Sequence, residues 1–258
     1  MRQLFSVTSY EIITVRLDRP VEKANRDALP HPHSRTLHEV SMTSVDLSLF
    51  IEANHPATAK SIAKRKAIFG VGANDASYVT TPTGNGVTLR DPAYIAWVNM
   101  LTRAYYQKLH DRQQTYSDVT VCKEWHSFSA FRAWWLANYR EDWQLDKDLL
   151  VVGNREYGPD ACIYIPAWLN TFTIYRGASR GELTIGVSLY KKTGRYQSHC
   201  CNPITGKRHG LGYFTTLEAA HDAWIKCKLE LADQLKPEMD AIDQRIYPNV
   251  VTIVKAIS

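Results

Sequence analysis

The sequence predicts an α+β protein with a largely helical central domain that ends in a strand, loop, strand, helix order. A small three-stranded antiparallel sheet packed on one helix is expected after it. Aromatic and apolar residues recur at helical spacing over 91–109 and 127–139. Short β-type segments separated by glycine-containing turns fill 185–214, and a capped amphipathic helix follows. A chain of 258 residues can bury two small cores of this kind.

The composition indicates a water-soluble protein. No apolar run approaches the roughly 20 residues that span a bilayer, and the first residues lack the apolar stretch of a secretory signal. We therefore expect a cytoplasmic location and no membrane partner. The net charge of +5 favours approach to phosphate groups. The five cysteines form an odd set without a CxxC pair, so we expect reduced thiols instead of disulfides or a zinc knuckle.

Residues 1–69 are interpreted as an N-terminal extension with no assigned chemistry. Three histidines lie within 31–38, but no cysteine or acidic ligand pattern accompanies them, which favours a polar loop over a metal site. A short helix is expected from residue 58 onward. It carries four basic residues that form either a solvated face or a phosphate contact, namely Lys60, Lys64, Arg65 and Lys66.

Two helices are predicted to form the central core. The first, over 91–109, opens with Asp91 as its N-cap and Pro92 at its first helical position. The second, over 127–139, has Ser127 or Ser129 available as its cap. Four of its aromatic side chains are expected to be buried, namely Phe128, Phe131, Trp134 and Trp135.

The segment 145–170 predicts a strand through Leu145, turns at 153–154 and 158–160, a second strand over 162–165 and a helix from Pro166. This order suits a hydrolytic metal site, which needs a base to activate water and ligands from two strands and the helix behind them. Asp146, Asn154 and Asn170 are spaced to supply oxygen ligands, which suit magnesium or manganese better than zinc.

The stretch from Gly70 to Leu231 resembles the HNH, or His-Me finger, endonucleases of phages, which have a ββα-metal centre. The motifs that carry this resemblance are GVGANDASY, DPAYIAWVNMLTRAYY, DVTVCKEWHSFSAF, LDKDLL and YGPDACIYIP. The resemblance implies a domain over 70–175 that hydrolyses phosphodiester bonds with Mg or Mn if it is active. It assigns the metal to Asp146 and Asn170, with Asn154 as the central asparagine of the motif.

Lys147 stands where that family has its general-base histidine, and a protonated lysine cannot take a proton from water. Asp146 or Asp148 can take the base role, Lys147 can serve if burial lowers its pKa, or His126 can approach from the preceding segment. The alternative is that residues 146–148 form a salt-bridged turn that only braces the domain. Catalysis is therefore assigned to Asp146, Lys147, Asp148 and Asn154 only if the centre is active.

Residues 176–235 resemble the ethylene-response-factor type of DNA-binding domain. The matching motifs are Gly186-Val187, Gly194-Arg195-Tyr196, Leu211-Gly212-Tyr213-Phe214 and the helix start from Thr216 to Ala220. A sheet of this kind is thin enough to enter the major groove of double-stranded DNA. The expected nucleic-acid contacts are Tyr190, Lys191, Lys192, Arg195, Gln197, His199, Lys207, Arg208 and His209.

The tail, 236–258, contains the apolar run VVTIV, for which the sequence leaves open an edge strand or an oligomer contact. Taken together, these features predict a phage-type DNA-binding protein that is also a metal-dependent endonuclease if its centre is active. Two alternatives stay open. One is a non-catalytic protein that occupies DNA or inhibits a host nucleic-acid enzyme, and the other is a structural or assembly protein.

Overall fold

The computed structural model describes residues 42–173 and 183–257. Residues 42–139 form mainly helices, joined by short loops and two-residue strands. In chain order these elements are α1 (Ser44–Asn54), α2 (Ala59–Ala63), β1 (Thr83–Gly84), β2 (Val87–Thr88), α3 (Pro92–Tyr105), α4 (Gln107–His110), β3 (Thr120–Val121) and α5 (Phe128–Asn138). Two 3-10 turns, Gln114–Tyr116 and Lys123–His126, flank β3.

The first core lies between α3 and α5 and consists largely of aromatic rings. Trp97, Trp125 and Phe131 are fully buried in it, and the Trp97 indole nitrogen donates a 2.7 Å hydrogen bond to the carbonyl of Trp125. Helix α1 also packs here through the fully buried Ile51. The part of the chain from Ser44 onward, which was placed in the N-terminal extension, therefore shares the core of the central helices.

The caps predicted for the central helices are present. Asp91 caps α3 by accepting a 2.9 Å hydrogen bond from the backbone nitrogen of Ala93. Ser127 caps α5 by accepting a 3.1 Å hydrogen bond from the backbone nitrogen of Ala130, which settles the choice between Ser127 and Ser129. Helix α3 ends at Tyr105 instead of residue 109, because Tyr106 takes an extended conformation before α4 begins.

The predicted strand, loop, strand, helix order is confirmed. Strand β4 (Gln144–Asp146) pairs antiparallel with β6 (Ile163–Ile165), and α6 (Ala167–Thr173) follows. The loop between the strands contains β5 (Glu156–Tyr157), which pairs parallel with β3. The antiparallel pair places Asp146 opposite Ile163, at the end of β4 where the loop begins.

The predicted sheet and helix are also confirmed, and with them the α+β class. Strands β7 (Val187–Tyr190), β8 (Arg195–Cys201) and β9 (Arg208–Phe214) form an antiparallel meander in the order β7-β8-β9. Helix α7 (Leu217–Gln234) packs on one face of this sheet. Thr216 caps the helix by accepting a 3.2 Å hydrogen bond from the backbone nitrogen of Ala219.

A second core joins α6, the sheet and the C-terminal helices α7, α8 (Lys236–Ile242) and α9 (Ile246–Ala256). The edge-strand alternative for the tail is wrong, because residues 250–254 lie within α9. Ile246, Val250 and Val254 recur every four residues there and are fully buried. Among the described residues, no helix has the length and apolar character needed to cross a membrane.

Candidate nuclease-like turn and nucleic-acid interface

Asp146 ends β4 and shapes the first turn of the loop that follows. One carboxylate oxygen, Oδ1, accepts hydrogen bonds from the backbone nitrogens of Asp148 at 3.0 Å and Leu149 at 2.7 Å. Burial raises the pKa of Asp146 to about 6, and the nearby carboxylate of Asp148 adds to the increase. The two hydrogen bonds to Oδ1 show that the Asp146 side chain stabilises the backbone of the turn.

Lys147 and Asn154 close the loop into a unit that we call the 146–154 turn (residues 146–154). The buried Lys147 Nζ donates to Asp148 Oδ2 at 3.0 Å and to the carbonyl of Asn154 at 3.1 Å. The Asn154 amide nitrogen donates to the carbonyls of Lys147 at 2.6 Å and Glu156 at 2.7 Å. The structure thus brings together Asp146, Lys147, Asp148 and Asn154, as the sequence predicted, and joins them by internal hydrogen bonds.

Asn170 lies on α6, beside the strand that carries Asp146. Its amide nitrogen donates to the Gln144 side-chain oxygen, and Gln144 precedes Asp146 by two residues on β4. His126, the other base considered, lies in the first core, where its Nε2 is 3.0 Å from the carbonyl of Val121 and 3.3 Å from the Tyr105 hydroxyl. Both side chains have contacts that hold elements of the fold together.

The two predicted metal ligands use part of their polar atoms for hydrogen bonds within the protein. Asp146 Oδ1 accepts from two backbone N–H groups, and the amide nitrogen of Asn170 donates to Gln144. In residues 42–173 and 183–257, no group of three or more His, Cys, Asp or Glu side chains is placed to hold a metal ion. The arrangement is that of a hydrogen-bonded brace between β4 and the loop.

The sheet presents one face away from α7. Val187 and Ser198, which are paired across β7 and β8, are buried and lie on the α7 side. The alternate residues point the other way, because successive side chains of a strand lie on opposite faces. This outward face, as we call it, comprises Ser188, Tyr190, Arg195, Gln197 and Tyr213.

Strand register brings three of the predicted contacts together on the outward face. Tyr190 lies directly opposite Arg195, and Gln197 lies between Ser188 and Tyr213. The Tyr190 and Tyr213 rings contact each other, with centroids 5.1 Å apart. Tyr213 is 50% exposed and was not among the predicted contacts. The alternation of residues along β9 was the signal that could have identified it.

Basic side chains occupy both ends of the sheet. Lys191 and Lys192 are exposed in the β7–β8 turn, while Lys207 and Arg208 are exposed where β9 begins. In the parts of the chain that the structure describes, none of these four side chains pairs with a carboxylate. Their charges are therefore available to an external anion.

The two predicted histidines have different environments. A bulge between Ser198 and His199 shifts the register, so that His209 pairs with the buried Cys200 and belongs by register to the α7 side. His199 is half-buried and contributes to the wall of a cavity beside α7. The register therefore separates His209 from the outward face.

Comparison with protein-family models, with curated proteins and with solved structures gives no significant match to this chain.

Proposed function

We propose that this chain is a phage-type double-stranded DNA-binding protein that contacts DNA through the outward face of β7–β9. In this proposal the 146–154 turn is the non-catalytic remnant of an HNH-like centre. The observation that carries the proposal is the placement of Arg195, Gln197 and two tyrosines on one exposed sheet face between two basic ends. No metal cofactor is required for this activity.

The dimensions and chemistry of the outward face suit a DNA groove. The major groove is about 12 Å wide and admits a thin β-ribbon, so side chains on one face can reach base edges. Arg195 and Gln197 have the donors that bases accept, and the tyrosine rings offer apolar contact. The basic residues at the ends of the sheet, Lys191, Lys192, Lys207 and Arg208, would lie against phosphates and set the register.

The hydrogen bonds of the 146–154 turn favour a brace over a hydrolytic centre. Lys147 replaces the histidine of the resembling family, and its amino group donates to two oxygens of the loop. Asp146 uses one carboxylate oxygen for the backbone N–H groups of the turn. A general base needs a free lone pair directed at water, and the Lys147 amino group is instead occupied as a donor to those two oxygens.

DNA binding is tested by fluorescence anisotropy with a labelled duplex at about 50 and 200 mM salt. We expect affinity to fall steeply with salt, because phosphate contacts release counterions. The double variant Lys207→Ala/Arg208→Ala should bind about tenfold more weakly at the lower salt. The slope of its log affinity against log salt concentration should be smaller in magnitude by about two. Lys226→Ala, on the exposed side of α7, is the matched control and should behave like the wild type. Binding that is insensitive to salt, or equal in both variants, would contradict the proposal.

The absence of catalysis is tested separately with supercoiled DNA in magnesium or manganese, with Asp146→Ala alongside. We expect no nicking by either protein and unchanged DNA affinity in the variant. Metal-dependent nicking that Asp146→Ala abolishes would instead establish a working endonuclease. If the wild type neither binds nor nicks DNA, the search turns to protein partners, either a host nucleic-acid enzyme or the components of an assembly.

A further inference from the structure

A cavity of about 390 Å³ lies on the other side of the sheet, between α6, β8 and α7. Its walls are mainly apolar and include Phe172, Ile185, Pro203, Trp224 and Ile257. Thr171 and Cys201, which are both exposed, also line it and mark its solvent side. One charged group, Lys228, lines the cavity too, and we call this space the Lys228 cavity.

Lys228 is 8% exposed, which is unusual for a side chain that carries a charge. Within residues 42–173 and 183–257 its amino group makes no hydrogen bond or ion pair. Its nearest partner is the face of Phe172, with Nζ 3.3 Å from the ring centroid, and the Trp224 ring is 5.9 Å away. A cation over an aromatic face offsets part of the cost of burial, but it leaves the three N–H donors of the ammonium unused.

Among the residues that the structure describes, no carboxylate forms an ion pair with Lys228. Burial raises the pKa of the Cys200 thiol to about 12, so that thiol is neutral at physiological pH. Burial lowers the pKa of Lys228 to about 8, which keeps its amine mainly protonated at pH 7. An isolated positive charge in an apolar cavity is costly, and an anion that enters the cavity removes that cost.

His221, one turn before Trp224 on α7, holds this wall of the cavity in place. His221 stacks on Trp224, with ring centroids 5.6 Å apart and an interplanar angle of 10°. Its two ring nitrogens lie 3.4 Å from the carbonyl of Ile185 and 3.0 Å from that of Ile257. The Trp224 ring is therefore held in one orientation where it lines the cavity.

We infer that the Lys228 cavity binds a small organic anion, a carboxylate attached to a flat apolar group. The carboxylate would accept hydrogen bonds from the Lys228 ammonium, and the apolar part would pack against Trp224 and Phe172. This site lies on the α7 side of the sheet, opposite the outward face. Its occupancy therefore does not depend on DNA binding.

The test is calorimetric titration of the full chain with 2-naphthoate, and with 2-naphthamide as the uncharged probe of the same shape. We expect one naphthoate per chain and binding about tenfold weaker in Lys228→Met, since a charged hydrogen-bond partner is lost. Lys226→Met, on the same helix but exposed, should bind like the wild type. Thr171→Trp, which places a ring at the cavity, should abolish binding of both probes.

A loss of binding in Lys228→Met can be attributed to the missing ammonium, because removal of this buried charge is not expected to unfold the protein. Equal naphthoate binding by Lys228→Met and wild type would overturn the role of the ammonium. Equal affinity for naphthoate and naphthamide would overturn the preference for an anion. No binding of either probe by the wild type, or undiminished binding by Thr171→Trp, would overturn the site.

Discussion

Lys147 and Asn154 exchange hydrogen bonds across the loop that follows β4. The Lys147 amino group donates to the carbonyl of Asn154 at 3.1 Å, and the Asn154 amide donates to the carbonyl of Lys147 at 2.6 Å. The same amide nitrogen also donates to the carbonyl of Glu156 at 2.7 Å, so one asparagine satisfies two backbone carbonyls. This reciprocal pair makes the loop conformation depend on side chains that a nuclease would use for chemistry.

Asn154→Ala is therefore expected to destabilise the protein without changing DNA affinity. Two backbone carbonyls lose their donor, which costs about 1–3 kcal/mol of unfolding free energy when the groups stay out of water. Asn138→Ala is the matched control, because that exposed amide donates its hydrogen bond to the carbonyl of Trp134 within its own helix. Urea denaturation measures both variants. Equal stability of the two would mean that the 146–154 turn does not depend on this side chain.

Asp146→Asn should change the pH dependence of stability. The pKa of Asp146 is raised by burial and by Asp148 to about 6, above its ordinary value of 3.8. The folded state therefore binds the proton more tightly than the unfolded state, and the wild type loses stability as pH rises from about 4 to 6. The amide of the variant does not titrate in this range. Its free energy of unfolding should therefore rise relative to that of the wild type by on the order of 2 kcal/mol between pH 4 and 6.

Denaturation midpoints of wild type and Asp146→Asn between pH 4 and 7 measure this effect. Asp222→Asn, which removes an exposed carboxylate from α7, is the control. If the difference in denaturation midpoint between wild type and Asp146→Asn stays constant from pH 4 to 7, the raised pKa of Asp146 is contradicted.

Local signals predicted most of the fold. Asp91 followed by Pro92 marked the start of α3, and glycine at position 194 marked the β7–β8 turn. The tail was harder, because the β-branched run 250–254 suits a strand. Helix α9 forms instead because Ile246, Val250 and Val254 can be buried together against α7, and tertiary packing overrides propensity.

The candidate sites were predicted less completely than the fold. Four residues of the nuclease-like turn do lie together, but sequence spacing could not show that their polar atoms bond to one another. Tyr213 was missed because its place on the outward face follows from its pairing with Gln197, which the sequence alone does not show. Lys228 was missed because a lysine on a helix is ordinarily solvated, and tertiary contacts such as that with Phe172 bury it.

Gly186→Ala should be strongly destabilising. A Cβ atom there would lie 1.9 Å from Trp224 Cδ1, and the backbone φ of +79° is strained for any other residue. We expect a loss of about 3 kcal/mol or more, from overpacking and strain together. Gly194→Ala has a similar φ of +69° with no atom within 4 Å, so strain alone should cost about 1 kcal/mol. Thermal unfolding compares them, and equal losses would contradict the close contact of Gly186 with Trp224.

Tyr213→Ala tests the outward face with a neutral side chain. If the ring contacts a base, the variant should bind a specific duplex about tenfold more weakly, while the dependence of affinity on salt stays unchanged. The reason is that an uncharged ring releases no counterions. Ile204→Ala is a control at an equally exposed apolar residue outside the strands, since both side chains are 50% exposed. A changed salt slope, or equal loss in both variants, would contradict the assignment of Tyr213.

Lys228→Met should stabilise the protein at pH 7 in the absence of ligand. The folded-state pKa of Lys228 is about 8, below its ordinary value of 10.5, because burial disfavours the charged form. The resulting penalty is fully present below about pH 8 and disappears as the amine is neutralised between pH 8 and 10.5. The variant should therefore gain on the order of 2–3 kcal/mol at pH 7, and this advantage should shrink as pH rises. Lys226→Met, which removes an exposed charge from the same helix, should show neither effect.

Denaturation at pH 7, 9 and 10 measures these free energies of unfolding. A difference in unfolding free energy between Lys228→Met and wild type that stays constant with pH would mean that Lys228 is not buried as a charged group.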